Sequence, residues 1–238
     1  MGNRVYLEDG LIDYPENVGE VALVRQRTSL PNITYLDEVG IGGPGTVLAH
    51  VIHTSEAERA LLAARGTHVV HCPSSNMKLG SGFCPVPEYR ALGINVALGA
   101  DGAPCNDRLD PFTEMRLAAL VQKPRRGPGA LSAWEVVRMA TVGGAEALGL
   151  ADVTGTLEAG KKADMVLLDP EAGFSLPDSW REDPFGPLVY AFERTQVAAV
   201  WVDGLLRYHR ERKPRSALAP PPAHVREAAS ALKARRPR

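Results

Sequence analysis

The run Val96-Ala97-Leu98-Gly99-Ala100-Asp101-Gly102 constrains this chain more than any other stretch. It is apolar and stops at a carboxylate set between small residues, the pattern of a buried strand that ends in one titratable side chain. Two upstream runs end in the same way, Thr46-Val47-Leu48-Ala49-His50 and Thr67-His68-Val69-Val70-His71. Helix signals lie between them. Ser55-x-x-Glu58 reads as a capping box and Gly66 as the closing C′ residue, and Pro87 to Leu92 reads as a short helix closed by Gly93. This alternation predicts parallel strands joined by right-handed crossovers. In such sheets and barrels, the carboxyl ends of the strands are where chemistry sits.

The flanking segments are less regular. Arg4 to Leu7 is a strand candidate, Glu20 to Arg27 a helix, and Asn32 to Leu36 leads through the turn at Gly42-Gly43-Pro44-Gly45 toward His50. Cys72-Pro73-Ser74-Ser75-Asn76 reads as a polar loop. Asp110-Pro111 is a good N-cap and N1 pair for a helix through Lys123, Arg125 to Gly129 is a basic loop, and Ser132-x-x-Glu135 opens a helix expected to run to Leu148. Beyond Gly155 the character changes. A tight turn to Asp164 precedes a strand at Met165 to Leu168, and Val197–Val202, Asp203-Gly204, Leu205–Tyr208 is a strong hairpin signal. The tail from Lys213 reads as a solvated helix or a frayed end.

With 238 residues the chain suits one α/β domain and is slightly short for a complete (β/α)8 barrel of about 250. A net charge of −1 argues against general nucleic-acid binding. No apolar run approaches the roughly 18 residues that span a bilayer, and no signal-peptide pattern opens the chain, so no membrane partner is expected. Three cysteines, Cys72, Cys84 and Cys105, lack C-x-x-C spacing, which favours a reducing cytoplasm over a thiolate zinc site.

Each strand-end group has a plain structural reading beside the chemical one. A lone histidine there is commonly a hydrogen-bonded structural residue, and Asp101 before Gly102 suits a turn or cap, as do Asp107 and Asp110. Three such groups in register favour chemistry, because buried imidazoles and carboxylates are costly unless paired or metal-bound.

Leu48-Ala49-His50, His71-Cys72-Pro73-Ser74-Ser75-Asn76-Met77-Lys78-Leu79-Gly80-Ser81-Gly82 and Leu98-Gly99-Ala100-Asp101-Gly102-Ala103-Pro104-Cys105-Asn106 together resemble the amidohydrolase superfamily. Within it they resemble the guanine, adenosine-type and S-adenosylhomocysteine deaminases and the triazine hydrolases. Leu109 to Leu120 looks most like the 5′-deoxyadenosine deaminase group. Gly155 to Asp169 and Val197 to Tyr208 resemble that family's accessory β-sandwich. The resemblance spans roughly residues 16 to 210 and corresponds to the C-terminal half of a family member.

The resemblance implies an α/β fold, a partial (β/α)8 TIM-type barrel (strands five to eight) with part of an accessory β-sandwich. Residues 1–153 would form the partial barrel, 154–170 and 196–210 the sandwich strands, 171–195 would pack back on the barrel, and 211–238 would be a helical or flexible tail. It implies a zinc or iron ion at the barrel mouth. Asp101 would be a metal ligand and the base, His50 the strand-six histidine that orients the attacking hydroxide or contacts the ring nitrogen or exocyclic group being expelled, and Glu16 the proton shuttle. Asp13 stands where the family has its strand-five histidine, leaving Asp101, His50 and Asp13 as metal-ligand candidates. His71, Ser74, Asn76 and Arg116 are candidates for site support, with an ion-pair role the alternative for Arg116. The family's H-x-H pair occurs nowhere in this sequence, and His50 and His53 are at the wrong spacing to replace it. A metal would therefore be held weakly or not at all. The chemistry implied is deamination of an aminopurine nucleoside or related heterocycle by metal-activated water. The competing expectation is an inactive, truncated homologue whose exposed strand edges mediate homo-oligomerisation or pairing with a complementary half-barrel chain.

Overall fold

The computed structural model describes residues 11–13, 17–172 and 181–211. Arg4–Leu7, Glu16 and the tail from residue 212 lie outside them, and of residues 11–13 only the backbone is described. The chain opens with β1 (Leu11–Asp13), α1 (Val18–Thr28) and α2 (Asn32–Glu38). Then come β2 (Val47–Ala49), α3 (Glu56–Arg65), β3 (His68–His71), α4 (Pro73–Lys78), α5 (Val86–Ala91) and β4 (Val96–Leu98). The helical run that follows is α6 (Ala103–Asn106), α7 (Pro111–Arg126), α8 (Ala133–Ala140) and α9 (Val142–Ala147). Last are β5 (Met165–Leu168), α10 (Phe185–Tyr190), β6 (Val197–Val202) and β7 (Leu205–His209).

The four N-terminal strands pair in parallel in the order β1-β2-β3-β4. Leu48 registers with Val69 and Val69 with Val96, so these residues share one face of the sheet. That face joins Leu62 of α3, Tyr89 of α5 and Val136 and Met139 of α8 in the main core. The opposite face carries Val47, Val70 and Ala97 against Ala147 of α9. Burying a residue such as Leu48, 1% exposed, stabilises the fold by about 1.5–3 kcal/mol. Val189 of α10 also lies in the main core, and Phe185 meets Trp134 of α8 edge-on at 4.7 Å.

Local chemistry explains most boundaries. Both capping boxes form, with Ser55 and Ser132 each accepting from the N3 amide while Glu58 and Glu135 reach back. Asp110 accepts from the Phe112 amide and so caps α7. Asn32–Glu38, for which the sequence suggested no conformation, is a helix, started by Pro31 and anchored by the Ile33 amide donating to Glu58 at 3.0 Å. Two expectations are corrected. Cys72–Asn76 is not a polar loop: Pro73 starts α4, and Ser75 and Asn76 are buried on it. The helix expected from Ser132 to Leu148 breaks at Thr141, with φ −126° and ψ −96°, into α8 and α9. Gly143 explains where the chain goes next, because a Cβ there would stand 3.0 Å from the Val96 carbonyl of β4.

The C-terminal strands form a separate antiparallel sheet in the order β5-β6-β7. Its turn places Asp203 and Gly204 at φ 53° and 74°, the geometry that Asp-Gly supplies to a two-residue hairpin. No helix among the described residues is long and apolar enough to cross a membrane.

Candidate active site at the carboxyl rim of the parallel sheet

Three consecutive strands deliver His50, His71 and Asp101 to one rim, where α4 gathers them. His50 follows β2 directly and is 2% exposed. Its Nδ1 lies 2.8 Å from Asn76 Oδ1, a contact in which Nδ1–H donates, since the amide oxygen only accepts. Nε2 thereby faces Asp101, whose Oδ2 is 3.8 Å away. Ser75 Oγ donates to that same Oδ2 at 2.5 Å, and the Gly102 amide donates to Oδ1. Partial burial acts to raise the Asp101 pKa, but the bonds from Ser75 and Gly102 and the nearby His50 outweigh it and hold the carboxyl below its ordinary value. Asp101 is thus an ionised acceptor at neutral pH.

His71 is 1% exposed, and neither ring nitrogen has a hydrogen-bond partner among the described residues. Burial first, then the adjacent His50 ring, pushes its pKa down to about 3, so it is a neutral imidazole. Ser74 turns away from the pair and donates to Glu114. Arg116 is exposed on α7 and donates to the Tyr190 carbonyl of α10, a backbone contact and not the ion pair named as its alternative. Asp13 closes β1 in register with Ala49, so its backbone reaches the same rim. Glu16 lies outside the described residues.

The backbone at this rim is unusual. His50, Val51 and Asp101 all have positive φ, 66°, 41° and 61°. Val51 is the most costly of these, because a β-branched side chain crowds the left-handed region. Tyr89 Oη donates to the Val51 carbonyl at 2.6 Å and holds the exit of β2 in this shape.

One participant, Glu114, was not singled out from the sequence. Ser75 was available as part of the Ser74-Ser75-Asn76 loop. Glu114 had a signal of its own, a carboxylate in the stripe Glu114, Met115, Ala118, Ala119, Gln122 that α7 buries.

The donor set fits a metal in part. Zinc ligands stand about 2.0–2.2 Å from the ion, so two on one ion lie no more than about 4.4 Å apart, and the His50–Asp101 separation meets that limit. The orphaned ring of His71 likewise marks a polar place without its full complement of partners. Among the described residues, however, no group of three or more His, Cys, Asp or Glu converges, so this pair supplies at most part of a four-ligand shell.

The sequence matches the Amidohydrolase family over residues 21–206, a span that includes both strand-end histidines and Asp101. The chain belongs to the amidohydrolase family. It is 41% identical over 194 residues to a 5-methylthioadenosine/S-adenosylhomocysteine deaminase of Moorella thermoacetica, covering 81% of this chain and 45% of that protein. A 5′-deoxyadenosine deaminase of Methanothermobacter thermautotrophicus is 42% identical, with 81% and 44% covered. The crystal structure of a zinc-bound adenosine deaminase from Xanthomonas campestris superposes with a TM-score of 0.86 at 34% identity, over 94% of this chain and 51% of that one. A zinc complex of atrazine chlorohydrolase from Arthrobacter aurescens gives 0.79 at 27% identity, over 93% and 48%. These likenesses make the fold of the TIM-barrel type. This amidohydrolase spans about half the length of the curated relatives it matches.

Proposed function

We propose that the protein carries half of a hydrolytic deaminase centre for adenosine-like nucleosides or related amino-heterocycles. One observation carries this reading: His50 Nε2 and Asp101 Oδ2 face each other 3.8 Å apart at the rim of the parallel sheet. In this reading β1–β4 are strands five to eight of the barrel within residues 1–153, and β5–β7 are part of the accessory sandwich. His50 and Asp101, with Asp13 as the third candidate, would hold zinc or iron weakly. When bound, the ion makes hydroxide available near neutral pH by lowering the pKa of water to about 7.

The chain's own residues do the rest. Asn76 orients the His50 ring through Nδ1 and keeps Nε2 aimed at the nucleophile. Asp101, kept ionised by Ser75 and Gly102, takes a proton from water as the oxygen adds to the ring carbon that bears the amino group. Glu16 protonates the ring nitrogen, Asp101 passes its proton to the amino group, the carbon–nitrogen bond breaks with loss of ammonia, and the remaining hydroxyl proton restores Glu16. His71 and Asn76, both buried beside the pair, support the site from within the protein.

The test is ammonia release from adenosine, 5′-deoxyadenosine, S-adenosylhomocysteine and guanine by zinc-loaded protein, with metal content measured alongside. Turnover of at least one substrate is expected, falling about 10²–10⁴-fold in Asp101→Asn. Absence of bound metal and of ammonia, with Asp101→Ala indistinguishable from wild type, would overturn the reading. That outcome favours an inactive module that oligomerises or pairs with a complementary half barrel. The exposed Val166, Leu167 and Leu205 of the second sheet are the observation on its side.

A further inference from the structure

Behind the His50–Asp101 pair lies a buried carboxylate that the reaction outlined above does not use. Glu114 of α7 is 2% exposed, and no Lys or Arg pairs with it among the described residues. An ionised carboxylate in that position is costly unless donors surround it. Three do. The Ser74 amide donates to Oε2 at 3.1 Å, the Ser74 hydroxyl donates to Oε1, and Asn106 Nδ2 donates to Oε1 at 2.7 Å.

Each donor leads back to the site. Ser74 is followed on α4 by Ser75, which holds Asp101 Oδ2, and Asn76, which holds His50 Nδ1. Asn106 Nδ2 also donates at 2.7 Å to the carbonyl of Ala100, the residue before Asp101. Asn106 Oδ1 in turn accepts from the Arg108 and Leu109 amides and so shapes the loop that leads into α7. One carboxylate therefore joins the start of α4 to the turn that bears Asp101. It reaches Asp101 by two routes and His50 by one. A helix of only six residues has little rigidity of its own, and its register against β4 needs such a tie.

We propose that Glu114 is the positioning residue that sets the separation and orientation of His50 and Asp101, acting through Ser74 and Asn106. The proposal rests on the metal-dependent reading for its consequence in turnover, though not for its geometry. Supporting groups of this kind change metal affinity or activity about 10–100-fold when removed.

The experiment compares wild type, Glu114→Gln and Ser74→Ala in the full chain. Three readouts are taken: zinc affinity by chelator competition, kcat against KM for ammonia release, and the ¹⁵N shifts of the His50 ring. Glu114→Gln is expected to weaken zinc about 10–100-fold, to lower kcat with little change in KM, and to shift Nδ1 of His50 away from its hydrogen-bonded value. Ser74→Ala, which removes a single contact, is expected to move all three in the same direction by less, and it decides the matter if Glu114→Gln does not fold. A lowered melting temperature with zinc affinity, kcat and the His50 signals unchanged would overturn the proposal, leaving Glu114 a structural residue only. If wild type takes up no zinc and releases no ammonia, the deaminase reading fails. The His50 signals still decide the positioning role: a shift in the variants upholds it and identical spectra reject it.

Discussion

Val69 and Val96 in the parallel sheet are sealed from solvent, whereas Val166 and Leu167 in the antiparallel sheet, no less apolar, are more than half exposed. The two sheets obtain their order from different sources. The parallel sheet is fixed by helices that cap cleanly and pack Leu62, Tyr89, Val136 and Met139 against it. The antiparallel sheet is fixed by turn chemistry and by links at its edges. Asp164 accepts from the Asp203 amide at 2.7 Å, and Arg210 donates to Asp169 at 2.9 Å. Chemistry sits on the first kind of scaffold because a His–Asp separation must be held to a fraction of an ångström.

Truncating a leucine in each sheet gives the largest expected contrast. Leu48→Ala should destabilise by about 2–5 kcal/mol in denaturant unfolding, while Leu167→Ala should stay within about 0.5 kcal/mol. Equal effects would break the comparison and show that the second sheet is covered in solution. A smaller effect is expected at Gly99, where an added Cβ would stand 2.6 Å from Val70 Cγ1 and 3.1 Å from Cys72 Sγ. Gly99→Ala should cost about 1–3 kcal/mol by overpacking, a loss visible in the same unfolding curves.

The smallest expected effect concerns acid. The Asp203 amide and Thr154 hydroxyl lower the Asp164 pKa, and Arg210 lowers that of Asp169. A carboxyl whose folded pKa lies below its unfolded value adds stability that is present above the unfolded pKa and lost as pH falls through the folded one. Asp169→Asn should therefore reproduce at neutral pH part of the acid loosening of β5–β7. Hydrogen exchange should show faster amides there and unchanged protection in β2–β4. Loss of protection in both sheets would mean that they unfold as one unit.

Local signals in the sequence carried much of this. Ser55, Ser132, Asp110 and the Asp203-Gly204 turn each act through neighbours within a few residues, and the three strand ends lie where their patterns placed them. What stayed hidden depends on distant partners. The break at Thr141 lies beside Gly143, where an added Cβ would crowd the Val96 carbonyl, a closeness between residues far apart in the chain. The helix at Pro73–Lys78 is stabilised by burial of Ser75 and Asn76 against strand-end groups, although its composition resembles a loop. Ser74 and Arg116 were singled out by type and position, yet their partners, Glu114 and the Tyr190 carbonyl, lie 40 and 74 residues away.

The positive φ angles at His50, Val51 and Asp101 bear on how the protein would respond to selection for heat resistance alone. Glycine is the comfortable occupant of such backbone, but Val51 is fully buried in the main core, so Val51→Gly would lose more in burial than it relieves in crowding. Asp101, whose side chain is partly exposed, is where glycine would ease the backbone at the least cost in burial. A library screened only for survival on heating should therefore enrich Asp101→Gly early, and those survivors lose the carboxylate, so durability and turnover would part company at a single residue.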